Sequence, residues 1–346
     1  MSARFFLAAA VIGLVAAAIG WVTTPGVFAG AWLAALTWFA SWALGSLGLL
    51  LIHALTGGRW GVVLRPALLA GSGALILLVP LAAPLALTAG RLYPWLSGPA
   101  PAGKDFYLNA PFFAGRAIVY LVVWCGLAAL TSNAAADEAR LRRLAPGALA
   151  ALALTVTFAA IDTGMALDPD FTSSVYGLIA LAGAALLALS VAILATALGP
   201  VRSRDDWAYL GRLLLGLVVF WAYLDFMQFL IVWESDLTRE APWYLVRGQG
   251  LWGGIAWTLA IGHFGLPFAL LLGGSAQRRP AVVLSVAGLL AALEMLRAWW
   301  LILPSLGHSP GWIDAAAVVG LAGLAGCCLF LRLDRPASLA GAGGRR

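Results

Sequence analysis

Residues 280–303 read PAVVLSVAGLLAALEMLRAWWLIL, an apolar run that contains one acid and one base, Glu294 and Arg297. An α-helix rises 1.5 Å per residue, so about 20 apolar residues cross the hydrocarbon core of a bilayer. This run therefore predicts a membrane-spanning helix with a charged pair near its middle. Hydrocarbon penalises a charged side chain by roughly 2.5–3.5 kcal/mol, so such residues persist only where they face a protein interior, a partner or water.

The same pattern recurs along the whole chain. Hydrophobic residues make up 62% of the sequence, charged residues 10%, and the mean hydropathy is +0.95, whereas a soluble domain carries about 25% charged residues. The composition predicts an all-α integral membrane protein with about ten transmembrane helices, in a single membrane domain of residues 1–346. The predicted spans cover residues 4–22, 30–55, 67–89, 111–131, 147–166, 175–198, 208–233, 250–272, 280–303 and 312–333.

The positions of the basic residues predict the orientation. Most of the 21 Lys and Arg residues fall on the side that holds both termini: Arg4, Arg59, Arg65, Arg140, Arg142, Arg143, Arg202, Arg204, Arg212, Arg278, Arg279, Arg332, Arg335, Arg345 and Arg346. The opposite side holds Arg91, Lys104, Arg116, Arg239 and Arg247. Cytoplasmic loops carry the excess of basic residues, so both termini are predicted to be cytoplasmic. Topology and anionic lipid explain the pI of about 9.6, and no nucleic-acid partner is expected.

The sequence offers few ligands for a redox centre or a metal. The three cysteines lie within apolar spans, where cysteine behaves as a small hydrophobe, and no covalent haem-attachment motif is present. His53, His263 and His308 fall at different predicted depths, so they are not expected to ligate a haem together. We therefore predict no metal site, no catalytic residue and no covalently bound cofactor in this chain.

Five ionisable residues within the predicted spans form a candidate proton path: Asp162, Asp225, His263, Glu294 and Arg297. Desolvation favours the protonated form of a buried carboxyl group, which suits a residue that takes up and releases a proton. Glu294 and Arg297 can pair on one helix because they are three residues apart, and His263 could complete a path to Glu294. Each residue has a structural alternative: a locked turn, an interhelical hydrogen bond or a neutralised contact.

Two further groups of residues are candidate contact sites. Asp225 and Gln228 share a helix face, and with His263 they could contact the carbonyl groups of a quinone. The predicted outer loops are dense in charged and aromatic residues, a composition typical of protein docking surfaces. The docking candidates are Tyr107, Asn109, Arg116, Arg239 and Arg247. A freely solvated loop is the alternative for this group.

Several motifs occur in a fixed order along the chain. They are TGGRWGVVLR (56–65), YLNAPFFAGRAIVY (107–120), FAAIDTGMALDPDFTSSVYG (158–177), FWAYLDFMQFLIVW (220–233), WYLVRG (243–248) and HFGLPFALLL (263–272), followed by Arg278 and Arg279. Over about residues 35–305 this set resembles the F-type membrane subunit of alternative complex III, the bacterial quinol:cytochrome c oxidoreductase. That subunit is similar to polysulfide-reductase-type, NrfD-like membrane proteins. The chain departs from the family pattern at Thr163, Asp225 and Met227, so the proton path of the family is not transferred residue by residue.

The resemblance implies two four-helix bundles, residues 30–166 and 175–303, flanked by helices at 4–22 and 312–333. It also implies a respiratory complex with a paralogous quinol-site membrane subunit, an iron–sulfur subunit and c-type cytochrome subunits. Haem and iron–sulfur centres would belong to those partners, and this chain would give scaffold together with a proton-conducting path or a quinone contact. The alternative is a stand-alone proton-coupled transporter, although the sequence shows no inverted repeat with paired broken helices.

Overall fold

The computed structural model describes residues 2–98, 103–199, 202–235 and 237–333, and these residues form helices and loops without strands. Among these residues, ten helices are long and apolar enough to span a membrane, which confirms the predicted helix count and the multi-pass character. They are α1 (Ala3–Thr23), α2 (Pro25–Thr56), α3 (Arg59–Leu92), α4 (Ala110–Ala134), α5 (Glu138–Leu167), α6 (Tyr176–Thr196), α7 (Arg204–Glu234), α8 (Gly250–Leu271), α9 (Pro280–Leu306) and α10 (Trp312–Leu333). Arg335, Arg345 and Arg346, which enter the orientation argument, lie outside the described residues.

Several helices begin earlier than predicted because polar caps extend them beyond the apolar run. In α5, the Asp137 side chain accepts a hydrogen bond from the backbone N–H of Arg140 at 3.0 Å. In α7, Ser203 and Asp206 form a reciprocal capping box. Such caps satisfy the first backbone N–H groups of a helix, so the helix can start in the polar interface rather than at the hydrocarbon boundary.

Two of the spanning helices contain an irregular turn before a proline. Helix α3 changes to a 3-10 turn at Ala74–Leu77, ahead of Pro80. Helix α8 changes to a π turn at Ala260–Gly265, ahead of Pro267. Proline has no backbone N–H to donate to the carbonyl four residues earlier, so the regular hydrogen-bond ladder cannot run through either position. The π turn contains His263 and therefore sets the direction of that side chain.

Helices α2 and α6 pack against each other at the centre of the molecule, and α1 packs along α10 at its edge. Helix α2 also contacts α3, α5 and α9, whereas α6 contacts α7, α9 and α5. Two large apolar cores result, one built mainly around α2, α4 and α5 and the other around α6, α7 and α9. The polar residues of interest lie between the helices that surround these cores.

Close approach of α2 and α6 depends on Gly45, because a Cβ atom at this position would overlap the backbone carbonyl of Ala184. We expect Gly45→Ala to lower the free energy of unfolding by about 1–3 kcal/mol, the usual cost of overpacking. The matched control is Gly48→Ala on the same helix, where the new Cβ would meet only Leu152 Cδ2 at an ordinary 3.5 Å. Denaturant unfolding in detergent measures both, and equal stability of the two variants would contradict the close packing.

Candidate functional site

A buried polar network joins α8 and α9. His263 Nε2 lies 3.0 Å from Glu294 Oε1, and Arg297 Nε donates to Glu294 Oε2 at 2.9 Å. All three side chains are less than 10% exposed. The contacts predicted from the sequence are therefore present: Glu294 pairs with Arg297 on its own helix and with His263 on the neighbouring helix. One carboxylate shared by two donors reduces the cost of burying each charge.

The surroundings fix the direction of both partners of Glu294. The Trp221 ring lies against the His263 ring, with their centroids 4.0 Å apart. Gly183 on α6 leaves room for the guanidinium of Arg297, since a Cβ atom there would overlap it. Within the described residues, His263 Nδ1 and Trp221 Nε1 are buried without a hydrogen-bond partner. The network therefore retains unused hydrogen-bonding groups beside its apolar wall.

A cavity of about 490 Å³ lies between α7 and α8, and we call it the lateral cavity. Most of its wall is apolar and aromatic, and Tyr223 and Phe226 on its α7 side are more than half exposed, so the cavity reaches the outer surface of the helices. Asp225 and Arg297 also line it. In the described part of the chain Asp225 makes no hydrogen bond or ion pair, so its carboxylate remains available to a ligand.

A second cavity of about 70 Å³ lies behind Asp225 and Arg297, toward α2, and we call it the central cavity. Asp225 and Arg297 line both cavities and so stand between them. Gln228 lies on the wall of the central cavity, and its Oε1 accepts a hydrogen bond from Ser173 at 2.6 Å. Asp225 and Gln228 are thus neighbours here, as predicted, whereas His263 lines neither cavity.

Asp162 lies in a different environment, on α5 facing α4. Arg116 donates to both carboxylate oxygens, through Nε at 2.8 Å and Nη2 at 2.9 Å, and the Tyr120 hydroxyl donates to Oδ2 at 2.7 Å. The Arg116 guanidinium also lies over the Tyr107 ring. Asp162 is 2% exposed and fully paired. This arrangement favours a structural role for Asp162, although the role is a clamp between α4 and α5 rather than the locked turn that the sequence suggested.

The predicted docking residues fall into two groups: Arg239 is exposed, and the others contact residues of this chain. Arg116 was expected on an outer docking surface, but its side chain is only 10% exposed and is engaged with Asp162. Asn109 caps α4, since its Oδ1 accepts from the backbone N–H of Phe112 at 3.0 Å. Tyr107 is half-buried under Arg116, and only Arg239 is exposed in the way a docking residue requires.

Arg247 also differs from the exposed position that the sequence predicts. It is 1% exposed, and its guanidinium donates to the carbonyls of Trp243, Trp300 and Leu301. It therefore holds the short helix Ala241–Arg247 against the C-terminal end of α9, where the side chain is too buried to contact a partner protein. Burial lowers the pKa of Arg247 to about 10, so the side chain stays charged at neutral pH. The sequence predicted exposure because Arg247 shares a predicted loop with the charged residues Glu234, Arg239 and Glu240, which precede it.

Several residues of these networks were not predicted from the sequence. Tyr120 completes the clamp on Asp162, and Trp221 covers His263. Tyr120 follows Arg116 by four residues on one helix face, a spacing that would have indicated a shared partner. Thr37 and Ser41 on α2 line the central cavity, and nothing in the apolar sequence around them distinguishes them from ordinary packing residues.

Comparison with known proteins adds no relative. No protein-family model matches the chain, and no curated protein is significantly similar to it.

Proposed function

We propose that this chain is a membrane subunit of a quinol:cytochrome c oxidoreductase of the alternative complex III type, and that it contacts quinone through the lateral cavity. The observation that carries the proposal is the form of this cavity. It has aromatic and aliphatic walls, it reaches the lipid-facing side of α7, and it ends at a carboxylate and a guanidinium. A ligand with a polar head and an apolar tail, entering from the bilayer, fits such a site.

The polar end of the cavity suits both redox forms of a quinone. The Asp225 carboxylate can accept a hydrogen bond from a quinol hydroxyl, and the Arg297 guanidinium can donate to a quinone carbonyl. In the described residues the Arg297 side chain has one hydrogen bond, through Nε to Glu294, so its terminal N–H groups can serve a ligand. Glu294, which also contacts His263, holds Arg297 at the polar end of the cavity. Asp225 would accept the proton of the quinol, and Glu294 and His263 would serve as further proton carriers.

Two four-helix bundles, α2–α5 and α6–α9, are part of the same proposal. They are supported by matching contacts: α2 packs on α3 and α5 as α6 packs on α7 and α9, and α4 packs on α5 as α8 packs on α9. The contact of α2 with α9 has a counterpart in the contact of α6 with α5. In both bundles an acid on the last helix also pairs with a residue on the third helix: Asp162 with Arg116, and Glu294 with His263. With α1 and α10 at the edge, this is a scaffold for assembly.

The partners and the membrane location follow from the same resemblance. The proposed partners are a paralogous quinol-site membrane subunit, an iron–sulfur subunit and c-type cytochrome subunits, which would hold the haem and iron–sulfur centres. The excess of arginine on the side of Arg59, Arg140 and Arg278 supports cytoplasmic termini in a bacterial inner membrane. Exposed Arg239, on the opposite side, belongs to the surface that we propose for docking.

Purification in mild detergent tests membership of a complex. An affinity-tagged chain should elute with c-type cytochromes, visible as haem absorbance, and with an iron–sulfur protein. The alternative function, a stand-alone proton-coupled transporter, predicts a chain that purifies alone and drives proton-linked uptake in vesicles. Elution without haem would contradict the proposal.

The interrupted helices α3 and α8 do not favour the transporter, because they do not occupy equivalent positions in the two bundles. By the matching contacts, α3 corresponds to α7, and α8 corresponds to α4.

Asp225→Asn tests the quinone contact. The variant keeps the size of the side chain but removes the charge that accepts a quinol proton, so we expect quinol oxidation by the purified complex to fall by about 10²-fold or more, the usual contribution of a general base. Complex assembly on a native gel should stay normal. The control is Asp205→Asn, an exposed carboxyl group near the start of the same helix, which should leave turnover unchanged. Unchanged turnover in Asp225→Asn would reduce Asp225 to a packing residue.

A further inference from the structure

Two hydroxyl groups on α2 stand out in an otherwise apolar helix. Thr37 and Ser41 are one turn apart, both are half-buried, and both line the central cavity. Neither side-chain hydroxyl makes a hydrogen bond to any residue that the structure describes. By contrast, Ser46 on the same helix is buried and donates to the carbonyl of Trp42 at 2.7 Å. The helix therefore carries both a satisfied serine and hydroxyls that face a cavity.

The cavities adjoin one another across the molecule. Thr37, Ser41 and Thr163 line the central cavity and also a third cavity of about 180 Å³ among α2, α3, α4 and α5, which we call the α2–α5 cavity. Asp225 and Arg297 line the central cavity and the lateral cavity. The three cavities thus follow one another from the surface of α7 to the interior of the α2–α5 half, with polar residues at each junction.

Water can serve as the hydrogen-bond partner of the Thr37 and Ser41 hydroxyls. Burying a hydroxyl group in apolar surroundings costs free energy unless the group is hydrogen-bonded. A buried water needs about 10–15 Å³ of accessible volume and two to four polar partners. The central cavity offers about 70 Å³, with the carboxylate of Asp225, the guanidinium of Arg297 and the two hydroxyls on its wall. Both the volume and the partners are sufficient for several waters.

We propose that the central cavity is a water-filled passage that joins Asp225 and Arg297 to the hydroxyls of Thr37 and Ser41. It extends the polar network of α7, α8 and α9 into the α2–α5 half of the molecule. A proton at Asp225 can then move across the molecule toward α2. The passage does not depend on quinone, and it holds for any ligand of the lateral cavity.

Cysteine labelling tests the passage, because a thiol reacts as the thiolate and thiolates form in water rather than in apolar packing. The experiment uses the full chain as purified with its partners, after replacement of Cys125, Cys327 and Cys328. Methanethiosulfonate ethylammonium is added to Ser41→Cys, and mass spectrometry follows the modification. We expect labelling at least about tenfold faster than in the control Ser46→Cys, since the control thiol is held in dry packing. Equal, slow labelling of both variants would overturn the proposal.

Two further variants strengthen the test. Thr37→Cys replaces Ser41→Cys if the latter fails to fold, and it carries the same expectation. Thr37→Val in the Ser41→Cys background removes a hydroxyl that holds water, so labelling of Cys at position 41 should slow severalfold. An unchanged rate would exclude water held by Thr37. Fast labelling of Ser46→Cys would also count against the passage, because the reagent would then be entering through lipid. None of these readouts involves quinol oxidation, so a failure of the proposed function leaves them unaffected.

Discussion

Glu294→Ala is expected to lower the free energy of unfolding by about 3–5 kcal/mol, the usual cost of removing one partner from a buried ion pair. The substitution leaves Arg297 with no hydrogen bond among the described residues and removes the acceptor of His263 Nε2. Both partners are almost fully buried, and His263 lines neither the lateral nor the central cavity, so water is a poor replacement for the lost carboxylate. Denaturant unfolding of the purified protein in detergent measures the effect. Glu138→Ala, at an exposed site near the start of α5, is the control and should change little.

Two related variants separate the roles of Glu294. The double variant Glu294→Leu with Arg297→Met removes both charges and should recover most of the lost stability, because an apolar pair of similar volume often replaces a buried ion pair without loss. Glu294→Gln keeps the hydrogen-bond acceptor without the charge. If Glu294→Gln folds normally but oxidises quinol slowly, Glu294 carries protons. If its turnover is normal, Glu294 only holds Arg297. A Glu294→Ala variant as stable as the parent would mean that the network is hydrated.

Arg116→Leu should be comparably destabilising, by about 3–5 kcal/mol, because among the described residues it leaves the buried carboxylate of Asp162 with Tyr120 as its remaining donor. Arg116→Lys should lose less, since a lysine keeps the charge but cannot donate to both carboxylate oxygens at once. Thermal unfolding in detergent ranks the stability of the parent protein, Arg116→Lys and Arg116→Leu. The control is Arg91→Leu, which removes an exposed arginine at the end of α3.

A double variant tests whether Asp162 is more than a clamp. Arg116→Leu with Asp162→Leu removes both charges, and we expect it to regain much of the stability that the single variant loses. Quinol oxidation by the complex should then remain near the parent rate, because the carboxylate of Asp162 is buried and fully paired with Arg116 and Tyr120. A strong loss of turnover in a well-folded double variant would return Asp162 to the proton path that the sequence predicts.

The sequence predicts the contact of Glu294 with Arg297 because both residues are on one helix, where spacing alone decides which side chains meet. It does not predict the partner of Asp162, because Arg116 lies 46 residues away on another helix. The position of Arg247 also could not be predicted. Arg247 follows the charged residues Glu234, Arg239 and Glu240 in the same predicted loop, and only the packing of the Ala241–Arg247 helix on α9 shows that the side chain is buried.

What the amino-acid sequence determined by itself is the set of ten helices long and apolar enough to span a membrane, and the position of each charged residue along them. Lipid forms no hydrogen bonds with the backbone, so each apolar stretch of sufficient length must be helical, and the period of the helix is known. The tertiary structure alone decided which buried charges are satisfied and which face a cavity. That difference separates Asp162 from Asp225, and it depends on contacts between helices that are far apart in the chain.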